Sequence, residues 1–142
     1  MPTTKLCLIR HGETTWNAER RLQGHTDIPL NAKGILQARQ MAQALKNANL
    51  VFDVLYTSDL QRAAKTAKAI EDLYKTSAIK TPSLRERHLG SLQGLTTDEA
   101  PNLEPELWQS HLSRNTTENL RTGESIQQFA DRSEERRVGK EC

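Results

Sequence analysis

Aromatic side chains are scarce in this sequence. Two Trp, two Tyr and two Phe amount to 4% of the 142 residues, too little for a base-stacking surface or an aromatic ligand box. An excess of one charge sign is missing as well. Twenty Lys and Arg against 18 Asp and Glu leave a formal net charge of +2, and the basic residues are scattered until the last few positions, so no nucleic-acid partner is expected. Long apolar runs are absent. No window approaches the ~18 residues of a membrane span, and the first five residues do not lead a positive charge into an apolar stretch as a secretory signal does. Neither a membrane partner nor a leader is expected. Cysteine is confined to Cys7, in a short apolar run, and Cys142, the last residue. That gives no metal spacing and no disulfide framework, so a reducing cytoplasm is the expected compartment. Oligomeric state has no signal in the sequence.

The length suits one domain. Hydrophobic residues are 35% of the chain, below the roughly 45–50% of an average globular protein, so the core is expected to be modest. Leu6-Cys7-Leu8-Ile9 is continuously apolar and reads as a strand buried on both faces of a parallel sheet. It ends abruptly in Arg10-His11-Gly12-Glu13. Ile35, Ala38, Met41, Ala42 and Leu45 then recur at helical spacing behind a candidate cap at Asn31. Residues 51–57 read as a second strand. Ser58 or Asp59 would cap a second helix whose face is Leu60, Ala63, Ala64, Ala67, Ile70 and Tyr74. A short strand is expected within 77–84, followed by the polar turn Arg85-Glu86-Arg87-His88. Short helices and loop fill 96–122, and Gly123-Glu124-Ser125 opens a last helix through Ile126, Phe129 and Ala130. Strand, helix, strand, helix predicts an α/β domain with a largely parallel central sheet.

In such sheets ligands gather at the carboxyl ends of the strands. Arg10, His11 and Gly12 follow the first predicted strand, and Arg62 lies in the first turns of the second helix, where backbone N–H groups favour an anion. A guanidinium is a planar fork of donors that matches phosphate oxygens, and a glycine lets the backbone pass close to a ligand. Each residue alone has a plainer reading. A His after a strand is usually a satisfied polar group, Arg62 a solvated helix residue, and Glu86 between two arginines a surface ion pair worth little. The spacing of the surrounding blocks has to decide.

The segment Leu8-Ile9-Arg10-His11-Gly12-Glu13-Thr14-Thr15-Trp16-Asn17 closely resembles the signature of the histidine phosphatase superfamily, whose proteins are phosphoglycerate-mutase-like. Further blocks match in order: Arg21-Leu22-Gln23-Gly24 with Asp27-Ile28-Pro29-Leu30-Asn31, then Gly34-Ile35-Leu36-Gln37-Ala38 and Tyr56-Thr57-Ser58-Asp59-Leu60-Gln61-Arg62-Ala63. Leu84-Arg85-Glu86-Arg87-His88-Leu89-Gly90, Gln93-Gly94 and Gly123-Glu124-Ser125 complete the series. The resemblance covers about residues 5–131. It implies a three-layer α/β/α fold and a two-step phosphoryl transfer that needs no metal and no other cofactor. His11 is implied as the nucleophile, Arg10 and Arg62 as the clamp on the phosphoryl oxygens, and Glu86 as the general acid and base. Asn17 is implied as a phosphate contact and Gln23 with Gly24 as a substrate-facing loop. The implied substrate is a small-molecule phosphate monoester. His25 could touch substrate, His88 reads as structural, and His111 has no matching role.

The chain departs from the family at one point. The pattern requires a second histidine, followed by glycine, after a late central strand beyond Gly123-Glu124-Ser125, and no histidine here follows a late apolar run. Residues 132–142 are mostly charged and resemble translated adapter or vector read-through. The expected organisation is therefore residues 1–131 as the N-terminal part of a phosphatase domain, C-terminally truncated, and residues 132–142 as a charged tail. Low activity is the corresponding expectation for the chain itself. Two other functions are compatible with the same blocks. A 2,3-bisphosphoglycerate-dependent phosphoglycerate mutase would carry a long insertion and more basic residues than 95–122 provides. A binding-only or inactive paralogue would not need Arg10, His11, Arg62 and Glu86 together.

Overall fold

A computed structural model of the chain describes residues 3–138. The elements in order are α1 (Thr15–Ala18), α2 (Ala32–Asn47), β1 (Tyr56–Ser58), α3 (Gln61–Tyr74), β2 (Ile79–Thr81), α4 (Ala100–Leu103), α5 (Pro105–Leu112) and α6 (Ile126–Val138). Single 3₁₀ turns occupy Pro82–Leu84 and Gly90–Leu92. Strands β1 and β2 pair in parallel with Tyr56 opposite Ile79 and Ser58 opposite Thr81. A parallel pair needs a crossover, and α3 supplies it. The fold is α/β, as the alternation of patterns predicts.

Helices α2 and α3 pack together through small side chains. Ala38 and Ala42 on one helix and Ala67 with Ile70 on the other are buried, which brings the two backbones close. The stripe that faces inward on α2 is Gly34, Ala38 and Ala42, so Ile35, although it falls on the periodic pattern, is turned outward. A second apolar cluster joins Leu89, Leu92, Ala100, Leu107 and Leu120, with Leu22, Leu95 and Trp108 packed against it. This cluster lies under the loops around α4 and α5 and supports the turn that carries Glu86.

Two expectations about strands fail. Leu6-Cys7-Leu8-Ile9 forms no strand, and Leu6 and Leu8 are 77% and 84% exposed. Residues 51–57 contribute only Tyr56 and Thr57 to β1, with Val51 89% exposed. The cause is the same in both places. An apolar run becomes a strand when another backbone accepts its N–H and C=O groups, and among the described residues none pairs with 5–9 or 51–54.

Helix starts divide into local and non-local cases. Asn31 caps α2 as expected, its side chain accepting from Gly34 N–H at 2.8 Å. Neither Ser58 nor Asp59 caps α3. Its first N–H, at Gln61, donates instead to Asp27 Oδ1 at 2.7 Å, a carboxylate brought in from the loop before α2, while Asp59 is held by both donors of Arg85 at 2.7 and 2.6 Å. Helix α6 begins with a reciprocal box. Gln128 N–H donates to Ser125 Oγ at 3.0 Å and Ser125 N–H to Gln128 Oε1 at 2.8 Å. The helix continues past residue 131 to Val138, through part of the segment that composition marks off as a tail.

Candidate active site

The loop that carries His11 is pinned from its downstream side. Gly12 N–H donates to Thr66 Oγ1 at 3.0 Å, and that hydroxyl donates to the Arg62 carbonyl at 2.7 Å. Glu13 N–H donates to Gln37 Oε1 at 2.9 Å and its carbonyl accepts from Asn31 N–H at 3.0 Å. A Cβ on Gly12 would run into the backbone of Gly34. Gly12 is therefore required by the approach of the loop to the first turn of α2.

His11 itself is half-buried, with Nδ1 2.7 Å from its neighbour's carbonyl, Gly12 O. A carbonyl only accepts, so Nδ1 carries a proton and Nε2 of the neutral ring keeps its lone pair. Burial pushes the His11 pKa below its ordinary value of 6.5; the Gly12 hydrogen bond opposes this, Arg62 adds to it, Glu86 opposes it and Arg10 adds to it. The imidazole is consequently neutral at pH 7 and available as a nucleophile.

A cavity of about 370 Å³ is lined by Arg10, His11, Asn17, Arg21, Leu22, Gln23, Glu86 and Leu89. Of the residues singled out from sequence, Arg10, His11, Asn17, Gln23 and Glu86 are thus brought to one concavity. Arg62 and Gly24 stand behind it. Arg62 is buried, with 2% exposure, and its guanidinium donates to Thr26 O at 2.9 Å, Gly24 O at 2.6 Å and Glu86 Oε2 at 3.2 Å. An arginine has five N–H donors, and these contacts use three of them. Asn17 completes the capping box of α1, with its Oδ1 accepting from Thr14 N–H at 3.0 Å, which leaves the amide Nδ2 as the group it can offer. Gln23 is buried and its Oε1 accepts from Thr14 Oγ1 at 2.7 Å, again leaving NH donors.

The polar turn is sorted by alternation along an extended backbone. Arg85 turns to Asp59, and Arg87 is buried, donating to Glu124 O at 2.7 Å and Glu118 O at 2.9 Å. Glu86, between them, points the other way to Arg62 and the cavity. The surface pair with a neighbouring arginine, the plainer sequence reading, does not form. His25 lines no part of the cavity; its Nε2 is 2.7 Å from Glu86 O and its ring lies against His88 with centroids 4.6 Å apart. His88 Nδ1 accepts from Gly90 N–H at 3.0 Å. His111 rests beside Trp108.

Sequence reasoning missed Thr66, Asp27 and Arg21. Thr66 had a local signal, a hydroxyl four residues after Arg62 on an otherwise apolar helical stripe. Asp27 had none, because its partner is distant in sequence. Among the described residues no group of three His, Cys, Asp or Glu side chains could hold a metal ion, and no helix is long and apolar enough to cross a membrane.

The fold is α/β, and its cavity sets a neutral histidine beside an arginine and a carboxylate. The chain matches the histidine phosphatase superfamily (branch 1) over residues 6–136, and it belongs to that family. It is 44% identical over 132 residues to a metal-independent phosphoserine phosphatase of Arabidopsis thaliana, covering 92% of this chain and 55% of that protein. It is 41% identical over 130 residues to phosphoglycerate mutase-like protein 4 of the same plant, covering 90% and 56%. The solved structure of a mycobacterial glucosyl-3-phosphoglycerate phosphatase with VO3 superimposes with a TM-score of 0.79 at 30% identity, covering 91% of this chain and 63% of that one. The chain spans a little over half the length of the curated relatives it matches.

Proposed function

We propose that this chain carries the phosphate-accepting part of a phosphatase that hydrolyses small-molecule phosphate monoesters through a phosphohistidine on His11, without a metal. The observation that carries the reading is the fixed tautomer of His11 at a cavity that also holds Arg10, Asn17, Gln23 and Glu86. His11 Nε2 attacks phosphorus as the ester P–O bond breaks, and Nδ1–H stays on Gly12 O, which offsets the positive charge the ring acquires. Arg10 and the remaining donors of Arg62 face the charge that develops on the equatorial oxygens. Glu86, in its acid form, gives its proton to the departing alkoxide. As a carboxylate it then takes a proton from water while that water attacks phosphorus, and neutral His11 and inorganic phosphate leave.

Two relatives are named as phosphatases of phosphate monoesters, which supports hydrolysis over transfer to a second hydroxyl. Residues 1–131 belong to the phosphatase domain on this reading, residues 132–142 form a charged tail, and the sparse cysteines fit a reducing cytoplasm.

Trapping separates the first step from turnover. The protein is exposed briefly to a radiolabelled phosphate monoester such as p-nitrophenyl phosphate and quenched in denaturant. The expected result is an acid-labile, base-stable label that maps to His11. Acid-stable label, label on another residue, or none at all would overturn the reading.

A further inference from the structure

Glu86 is gripped at both ends. Its carboxylate Oε2 accepts from Arg62 Nη2 at 3.2 Å, and its main-chain carbonyl accepts from His25 Nε2 at 2.7 Å. The two grips are tied to each other, because the same Arg62 Nη2 donates at 2.6 Å to the carbonyl of Gly24, the residue before His25. Arg62, Gly24, His25 and Glu86 thus close a ring of hydrogen bonds that spans three separate chain segments. His25 is seated in that ring by its own N–H, which donates to Gln93 Oε1 at 2.8 Å, and by Glu124, whose Oε1 lies 3.3 Å from Nε2. Only a ring nitrogen bearing a proton can serve two oxygen acceptors, so the Nε2–H tautomer is selected.

We propose that His25 is a positioning residue for Glu86, holding the acid/base carboxylate in register with the arginine that clamps phosphate. The assignment rests on the phosphatase reading of Glu86 for its functional meaning. It differs from the substrate contact that the place of His25 in the loop leaves open. A lone donor could be replaced by water, but a donor inside a closed ring fixes a distance that water does not. The charged neighbours that face His25 are His88, Glu124 and Arg132, with Asp59 further off. Arg132 Nη2 also donates to Glu86 O at 3.0 Å, on the carbonyl's second lone pair.

The test reads Glu86 through His11, whose titration it influences, and needs no turnover. The His11 imidazole is followed by NMR against pH in the full chain and in Glu86→Gln, His25→Phe and His25→Gln. Glu86→Gln sets the size of the carboxylate's effect, a fall in the His11 midpoint. His25→Phe is expected to move the midpoint in the same direction by a part of that amount, and His25→Gln, whose amide N–H can reach the carbonyl, to restore it. His25→Asn, too short to reach, replaces Phe if the ring disturbs packing. A midpoint in His25→Phe or His25→Asn that coincides with wild type overturns the proposal, as does a Glu86→Gln variant with no effect, since there is then nothing to position. Failure of the His11 trapping experiment with these midpoints as expected would sink the phosphatase reading and leave the clamp standing.

Discussion

Replacing Arg62 by methionine is expected to damage fold and chemistry together. The side chain is buried, and three of its five donors hold Thr26 O, Gly24 O and Glu86. Methionine fills most of the volume and supplies no donor. Each carbonyl that stays dry costs about 1–3 kcal/mol, so the urea midpoint should fall visibly. The labelling rate at His11 should drop by roughly 10²–10³, the usual effect of removing one preorganised donor to a developing oxyanion. Arg62→Lys keeps the charge and loses the fork, so it should lie between wild type and Arg62→Met in both measurements. A labelling rate in Arg62→Met equal to wild type would remove Arg62 from the phosphate clamp.

The second large effect belongs to His11→Gln. Covalent labelling should fall by at least about 10³-fold, the scale seen when a nucleophile is deleted. Stability should change little, since the imidazole is half-buried and its one described side-chain bond is to its own neighbour. In the unsubstituted chain the rate of labelling from p-nitrophenyl phosphate, whose leaving group needs no proton from Glu86, should rise with pH and level off below 6.5, because burial holds the His11 pKa under that value and only the ring free of a proton on Nε2 attacks. The same shift has a sign in stability. A histidine depressed in the native state binds its proton more readily when unfolded, so stability is full above the unfolded pKa. It is lost as pH falls from there to the lower native value. His25 and His111, also lowered chiefly by burial, act in the same direction. A rate that increases on acidification through this window would contradict the neutral nucleophile.

What could be read from the sequence was local. The cap at Asn31 announces itself three residues before the N–H it receives, and the alanines of α2 and α3 recur at helical spacing. That His11 and Glu86 share a cavity was visible in the ordered blocks. What escaped depended on distant partners. Residues 6–9 have the composition of a buried strand, yet a ladder takes two backbones, and sequence composition describes one. The cap on α3 comes from Asp27, across the intervening α2. Glu86 sits between two arginines and bonds to neither, because alternation sends them to the opposite side. The close approach of Gly12 to the Gly34 backbone is likewise set by a partner distant in sequence. In each case side-chain chemistry was legible and the choice of partner was not.

The backbone around His11 changes character at a single residue. Before it, residues 5–9 have no described backbone partner; after it, Gly12 and Glu13 are fastened to Thr66, Gln37 and Asn31. Amide protons should therefore trade with solvent freely up to His11 and slowly beyond it. The His11 imidazole is anchored like a post set in ground on one side only. Its placement is inherited from α2 and α3, and the segment that leads into it can be altered with less consequence than the one that leads away.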